Sequence, residues 1–499
     1  MVIFYLAFLL FFLFFNIIIQ HFIDYHTSSF LFLDSTWNDH YLEVKKLFQS
    51  DFIENKLREY IVSDKINFRN VAHIAWCLSW FGINKSSVWE LIELLLLKNS
   101  HRCCDYYFAS IMHSYSLISS ERSLLTLFKE NFDLKLLSTE NENPGIDKVA
   151  FVKLLSSFSC KNAAILKHDD PSLPRYFNYI EKKIDLFTKE ELIGLVSVFA
   201  ELDFEQNPKI LIEYLKILSL LEKHLLEQFD SLNITHISVI LWSLGVGGRT
   251  DLVLAKRCLE KVFTFSMKEL INTEPKFLRT FMFGASEILG KQKLTEDQKK
   301  KIMFLKNLTF ERVTFLFYTH VLVEKKFDPA LNSNPLNAKM IFKSFKISYI
   351  PEFIIQDYNV DFYLPGFFDL DLEVLSKKSK EEFVVEKNEI EGELKEKEDQ
   401  DNFLVNQNLK SYSDFNDYFE KTRHNSLVIE INGPTHYILH DEVIKNSSKM
   451  KINLLQKKVA VVVIPSKVMK DISNFTLDPI SRMRTFIEYL KGETEKYRK

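Results

Sequence analysis

Two carboxylic acids lie inside apolar runs near the end of the chain. Asp361 lies in YNVDFYLP, and Glu430 lies in LVIEING. An ionised carboxylate is costly to bury alone, so each acid needs a cation, a hydrogen-bond donor or a metal ion. If the two runs form adjacent strands, the acids have the oxygen ligands that suit a hard divalent cation such as Mg²⁺.

A short turn phrase follows Glu430, made of Asn432, Gly433, Pro434 and, after one threonine, His436. Glycine permits a backbone shape that other residues disfavour, and proline stiffens the exit from the turn. Three roles are open to the histidine: contact with a bound ligand, acid–base chemistry, or a hydrogen bond that orders the loop. We favour binding or ordering, because a histidine after a Gly-Pro turn at a strand end is more often exposed than buried.

Seven lysines and no acid lie between Val443 and Lys470. Lysines make phosphate contacts that are sensitive to salt and indifferent to sequence. The alternative is an ordinary solvated helix face. In the whole chain the net charge is −3, so any nucleic-acid binding must come from a local basic surface of this kind.

The composition predicts helices in more than one module. The chain has 499 residues, which is too many for one ordinary domain, and only 12 glycines and 12 prolines, which all-β folds need for turns. Its five cysteines are scattered without metal-ligand spacing, which argues against a disulfide scaffold or a zinc site.

The first 25 residues form a separate hydrophobic segment. Residues 1–19 carry no charge and are long enough, at roughly 20 residues, to span a bilayer. They lack the basic start of a signal peptide and the arginine-rich character of a mitochondrial presequence. A membrane anchor, a targeting prefix and an extended gene prediction all fit this segment.

Residues 37–346 have the 3.6-residue apolar periodicity of helices. Capping boxes, in which a helix-start side chain and a later acid or amide exchange hydrogen bonds, are predicted for Thr188 with Glu191 and for Thr295 with Gln298. Six similar phrases recur about every 40 residues, a period typical of paired-helix repeats. We predict a solenoid, with an irregular helical bundle as the alternative; the aromatic anchors chosen for the repeat are Trp76, Tyr115, Phe158, Phe199, Trp242 and Phe283.

Residues 347–491 read as a small α/β domain. Strand-like sequence precedes a highly charged stretch, which predicts a disordered insertion at about residues 374–424. The order after it is strand, helix, a valine-rich strand (VAVVVIP) and a final helix. The predicted fold is therefore an α-helical repeat solenoid followed by a small α/β domain.

The C-terminal order resembles the RAP domain, an RNA-binding domain abundant in apicomplexans, and, more broadly, the PD-(D/E)xK nuclease superfamily. The resemblance spans about residues 348–489 and rests on VDFYLP, EINGPTHYI, KMKINLLQKK and VAVVVIP. It implies a restriction-endonuclease-like domain that binds RNA behind helical repeats. Together with the lysine run, it gives these residues as candidates for RNA contact: Asn432, Gly433, Pro434, His436, Lys445, Lys449, Lys451, Lys457 and Lys458.

The nuclease pattern is incomplete in this chain. Its lysine position is occupied by Asn432, which carries no positive charge and cannot act as a base. Lys449 or Lys451, on the following helix, could supply a replacement cation. We therefore expect binding without catalysis, and no cofactor. The alternative is a metal-dependent ribonuclease in which Asp361 and Glu430 are catalytic and bind Mg²⁺.

The resemblance also implies partners and a compartment. A groove of the repeats would hold single-stranded organellar RNA, with the C-terminal domain clamping phosphates, in RNA processing, RNA stability or ribosomal-RNA maturation. Other RNA-processing or ribosomal proteins are possible partners, and the mitochondrion is the expected location. A plastid-like organelle, a membrane-anchored protein and a helical scaffold for protein partners are the alternatives.

Overall fold

The computed structural model describes seventeen α-helices and six β-strands. No helix among the described residues is long and apolar enough to cross a membrane. The hydrophobic segment at residues 1–25 and most of the predicted insertion lie outside the described part. The described residues are 51–63, 66–80, 83, 86–99, 102–118, 123–138, 146–159, 165–290, 294–310, 342, 347–355, 358–372, 412–432, 437–438, 443–465, 468 and 479–497.

Fourteen helices precede the first strand in the described part of the chain. In chain order they are α1 Asp51–Ser63, α2 Phe68–Trp80, α3 Ser86–Asn99, α4 Asp105–Ile118, α5 Ser123–Ser138, α6 Lys148–Phe158, α7 Leu173–Lys183, α8 Lys189–Ala200, α9 Pro208–Glu227, α10 Ile234–Val246, α11 Val253–Val262, α12 Met267–Asn272, α13 Pro275–Leu289 and α14 Glu296–Thr309.

The first of two compact units comprises the described residues up to Phe199 together with Asn207–Leu241 and Leu252–Phe281. In this unit, helices pack against the next helix but one. Helix α2 packs on α4 and α4 on α6, while α1 packs on α3, α7 on α9 and α9 on α11. Alternate helices therefore form two series in the described part of this unit.

The same burial pattern recurs in α2, α4, α6 and α8. Each helix has two outward-facing positions, three residues apart, between residues that are mostly buried; we call these the paired positions. They are His73 and Trp76, Ser110 and His113, Lys153 and Ser156, and Gly194 and Ser197.

This pattern corrects the register taken from the aromatic anchors. Trp76 is exposed, whereas Tyr115, Phe158 and Phe199 are buried. By burial, His113 is the counterpart of Trp76, and Tyr115 is the counterpart of Leu78. The first four anchors lie on helices that share this burial pattern but not at one common position in it, because aromatic residues occur both in the core and on the surface.

Both predicted capping boxes are confirmed. The Thr188 amide donates to Glu191 Oε2 at 2.7 Å, and the Glu191 amide donates to Thr188 Oγ1 at 3.3 Å. The same exchange joins Thr295 and Gln298 at the start of α14. Each pair satisfies two backbone donors that a helix start leaves unpaired.

The second unit comprises Ala200–Gln206, Trp242–Asp251 and the described residues from Met282 onward. Its main sheet has the order β1-β2-β3-β6, antiparallel except for the parallel β3–β6 pair. A separate antiparallel pair is formed by β4 and β5. The strands are β1 Ile350–Ile355, β2 Tyr358–Leu364, β3 Leu427–Asn432, β4 Tyr437–Ile438, β5 Val443–Ile444 and β6 Ala460–Pro465, and the helices are α15 Tyr412–Thr422, α16 Asn446–Gln456 and α17 Pro479–Thr494.

Helices cover both faces of the sheet. Ile429 and Val462 face a core that includes Phe486 of α17. Val428 and Val461 face the opposite core, to which α15 and α16 contribute. Successive strand residues point to opposite faces, so two covered faces explain the nearly continuous apolar runs of β3 and β6.

Helix α15 corrects the extent of the predicted insertion, which was placed at about residues 374–424. Residues Tyr412–Thr422 are helical, and Phe415 and Phe419 are buried in the core. The charge density that indicated disorder is concentrated in residues 377–400, whereas two phenylalanines four residues apart give α15 an apolar face.

Gly245 of α10 provides a test of helix packing in the second unit. A Cβ atom at Gly245 would lie 2.2 Å from the backbone oxygen of Gly284 in α13. We expect Gly245→Ala to lower the free energy of unfolding by about 1–3 kcal/mol through overpacking, measured by urea denaturation. The matched control is Gly492→Ala in α17, where a Cβ meets nothing within 4 Å and the expected change is a gain of up to about 1 kcal/mol. Equal stability of the two variants would contradict this packing.

Candidate functional site

Glu430 is a buried acid on a central strand. It lies on β3 beside Val463 of β6 and is only 3% exposed. Strand alternation points its side chain to the same face as Val428, toward α16. There the Lys451 Nζ donates a hydrogen bond to Glu430 Oε2 at 2.6 Å. The pair satisfies one carboxylate oxygen with a charge-assisted hydrogen bond.

The second oxygen of Glu430 is left without a partner. Glu430 Oε1 is buried and has no hydrogen-bond partner among the described residues. Burial raises the pKa of Glu430 to about 7, against the opposing effect of Lys451, and the charge of Asp361 raises it further. The carboxyl group therefore changes its protonation near neutral pH.

Asp361 lies next to Glu430 across the β2–β3 ladder. Phe362 pairs with Ile429, so the following pair of positions joins Asp361 and Glu430. Asp361 Oδ2 accepts a hydrogen bond from the Ile431 amide at 2.6 Å, extending the pairing of the strands through a side chain. The structure thus places Asp361, Glu430 and Lys451 together.

The donor atoms at this point fit a divalent cation in part. The unpartnered Glu430 Oε1 and the carboxylate of Asp361 are hard oxygen donors of the kind that Mg²⁺ accepts. Among the described residues, however, no group of three or more histidine, cysteine or acidic side chains could hold a metal ion. A cation would therefore rely on these two acids and on water.

Most of the described lysines in the basic run have internal contacts. Lys449 pairs with Asp203, and Lys457 pairs with Glu287 at 3.0 Å. Lys445 is buried. Only Lys458, among the run's described lysines, is exposed without an ion-pair partner in the described part of the chain. Lys467 and Lys470 lie outside the described residues.

These acidic partners were missed by sequence reasoning. Asp203 precedes the lysines by more than 240 residues and carries no local signal of its role. The run without acids therefore looked like a free basic surface, although ion pairs with distant parts of the chain neutralise much of it.

Asn446 and Ser447, also missed, fix the start of α16. Asn446 Nδ2 donates to the backbone oxygens of Ala200 at 3.1 Å and Leu202 at 2.9 Å. The Ser447 amide donates to Glu201 Oε2 at 3.0 Å, so an acid satisfies a backbone donor in the first turn of the helix. An asparagine at a helix start was the available signal, but it did not reveal the partner.

The turn phrase is only partly described. Asn432 ends β3, where its backbone position pairs with Pro465. Gly433, Pro434 and His436 lie outside the described residues. The predicted contacts of these three residues with RNA therefore stay predictions.

Comparison with known proteins gave no matching family model and no matching curated protein.

The raised pKa of Glu430 predicts a specific dependence of stability on pH. Between the unfolded value of 4.5 and the folded value of about 7, the folded state binds more protons than the unfolded state. Stability therefore falls as pH rises through this window, by about 3 kcal/mol from this group alone. We expect Glu430→Gln to remove this component in urea denaturation at pH 4.5 to 7.5.

The matched control is Glu488→Gln, which changes an exposed acid on α17. It should keep the wild-type pH profile. A Glu430→Gln profile identical to that of wild type would show that the carboxyl group does not titrate in this window.

Proposed function

We propose that the chain is an RNA-binding protein whose C-terminal domain holds an RNA phosphate at Lys451. The observation that carries this proposal is the Lys451 ammonium group held 2.6 Å from buried Glu430. The site lies toward the carboxyl end of β3, shortly before the turn phrase on which the RAP resemblance rests. The Lys451 ammonium group, held in place beside such a turn, is suited to binding a phosphate.

Lys451 keeps hydrogen-bonding capacity beyond its ion pair. An ammonium group has three donors, and the bond to Glu430 uses one of them. The side chain is 20% exposed, so part of it remains open to solvent. Because Glu430 already restricts the lysine, a phosphate contact would cost less side-chain entropy than one made by a free surface lysine.

The charge of the acids does not prevent such a contact. Near pH 7 a substantial fraction of Glu430 is protonated, which lowers the local negative charge. Asp361 accepts the Ile431 amide hydrogen bond, which compensates part of its charge. Exposed Lys458, seven residues after Lys451, adds a second cation to the same segment.

The helical region is the second part of the chain that we propose to bind RNA. Its alternating packing and recurrent burial pattern support a solenoid of helix pairs that holds single-stranded RNA. The sheet order, with a helix between parallel β3 and β6, supports a restriction-endonuclease-like domain of the RAP kind. From that resemblance we propose an organellar role, in the mitochondrion, in RNA processing, stability or ribosomal-RNA maturation.

RNA binding by the full chain tests this function. We expect Lys451→Gln and Lys458→Gln each to weaken binding of a pool of random-sequence single-stranded RNA. Each lost phosphate contact should reduce the slope of log affinity against log salt by about 1 in filter-binding titrations.

The matched control is Lys300→Gln, at an exposed lysine of α14. It should leave both affinity and slope unchanged. If the wild-type protein is folded, as judged by circular dichroism, and does not bind RNA, the proposal is wrong. It is also wrong if the Lys451→Gln variant binds RNA with an unchanged salt slope.

A metal-dependent ribonuclease is the second candidate, favoured by the convergence of Asp361, Glu430 and Lys451. Lys451 provides the cation that Asn432 cannot, from the helix instead of the strand. Asp361 and the unpartnered Glu430 Oε1 would hold the metal ion. A bound divalent ion of this kind activates water and polarises a phosphoryl oxygen.

This candidate predicts RNA cleavage that requires Mg²⁺ or Mn²⁺. Glu430→Gln should abolish cleavage while keeping RNA binding. Cleavage is measured by gel assays of labelled RNA with each metal. Glu488→Gln should cleave like wild type. If wild-type protein binds RNA but cleaves it with neither Mg²⁺ nor Mn²⁺, the nuclease candidate is wrong and the binding function stands.

A further inference from the structure

Acidic residues are distributed unequally between the two series of alternating helices. Helices α2, α4 and α6 contain one acid in total, Asp105 at the start of α4. Their sequence neighbours α1, α3 and α5 contain seven: Asp51, Glu54, Glu59, Glu90, Glu93, Glu130 and Asp133. The series formed by α2, α4 and α6 therefore offers little repulsion to a polyanion.

The outward face of this series displays aromatic and polar side chains. Trp76 is 40% exposed and Tyr106 is 46% exposed, both unusual for large aromatic residues. On α2, Arg69, His73 and Trp76 follow at intervals of four and three, so they share one face of the helix. On α4, Tyr106, Ser110 and His113 follow at the same intervals, so Tyr106 shares a face with the paired positions of that helix.

Lys153 of α6 joins two of these helices on the outward face. Its Nζ lies 4.2 Å from the centroid of the Tyr106 ring and donates a hydrogen bond to Ser110 Oγ at 3.0 Å. Both partners are on α4. Lys153 has no acidic partner in the described part of the chain, so its charge remains available to an anion.

His113 adds no charge to this face, and its buried Nδ1 is closed to a bound strand. Its Nδ1 is buried and has no hydrogen-bond partner among the described residues. Burial, followed by the charge of Lys153, lowers the pKa of His113. At neutral pH the imidazole is therefore uncharged.

We infer that the outward face of α2, α4 and α6 binds single-stranded RNA. Trp76 and Tyr106 stack on bases, Lys153 contacts a phosphate, and two of the paired positions hydrogen-bond base edges. The inference rests on the proposed RNA-binding function and adds where and how the strand is held. Of the paired positions, His73 and Ser156 hydrogen-bond base edges, because the Ser110 hydroxyl already bonds to Tyr106 and Lys153.

The chemistry of the face favours this occupant over a protein. A face with few acids suits a chain of phosphates, and aromatic rings that are partly exposed suit unstacked bases. Duplex RNA keeps its bases stacked inside the helix, so it could not use Trp76 or Tyr106 in this way. Packed helices lie roughly 8–10 Å apart, which suits one or two bases for each helix of the series.

Variants of the full chain test this inference with a 20-nucleotide single-stranded RNA of random sequence. We expect Trp76→Ala and Tyr106→Ala each to weaken binding by roughly 5- to 150-fold, the range that loss of one base–aromatic stack produces. Trp76→Phe should restore most of the affinity, because a ring remains. Lys153→Gln should weaken binding and reduce the salt slope by about 1.

The controls change exposed side chains of α9, which lies outside this series. Ile212→Ala and Lys209→Gln should bind RNA like wild type. Circular dichroism and thermal unfolding establish that each variant is folded. A random-sequence RNA duplex of the same length should bind more weakly and respond less to Trp76→Ala.

The outcomes separate this inference from the proposed function. If wild type binds RNA, and the Trp76, Tyr106 and Lys153 variants bind it as wild type does, this face is not the site, although the proposed function stands. If wild type does not bind RNA, both fail. If Trp76→Ala and Ile212→Ala weaken binding equally, the effect is not specific to this face and the inference is wrong.

Discussion

The C-terminal domain depends on the hydrogen bond between Lys451 and the buried carboxyl group of Glu430. Glu430 lies on a central strand, and a buried ionised carboxylate without a partner would be strongly unfavourable. Lys451 donates a hydrogen bond to one oxygen of Glu430. Because burial raises the pKa of Glu430 to about 7, the carboxyl group is partly neutral near neutral pH. The pair therefore fixes α16 against the sheet and places the ammonium group beside both acids.

Helix α16 is held along its length by further polar contacts. Asn446, Lys449 and Lys457 bond to residues of the same compact unit that belong to the helical part of the sequence. Most of the charge of the described lysines in the run is consequently paired within the unit, and the RNA contact that we propose for the run rests on Lys451 and Lys458. Extended RNA contact then requires another surface, for which the series with few acids, α2, α4 and α6, has suitable chemistry.

Local sequence signals predicted local structure well. The Thr188–Glu191 and Thr295–Gln298 capping boxes form as predicted, because a capping box depends on residues only three apart. Apolar runs likewise located β3 and β6. Two predictions failed where the decisive partner or pattern was not local: α15 folds because Phe415 and Phe419 meet the sheet, and Trp76 differs from Tyr115 in burial. The partners of Lys449 and Lys457 lie too far along the chain for spacing to reveal them.

The central claim, that the chain holds single-stranded RNA, is tested most directly by ultraviolet crosslinking of the full chain in its own cells. Bound RNA would be sequenced and crosslinked peptides identified by mass spectrometry. The predicted result is a restricted set of organellar RNAs, with crosslinks at Trp76 or Tyr106 and in the segment that contains Lys451. Recovery of no RNA above an uncrosslinked sample would contradict the claim.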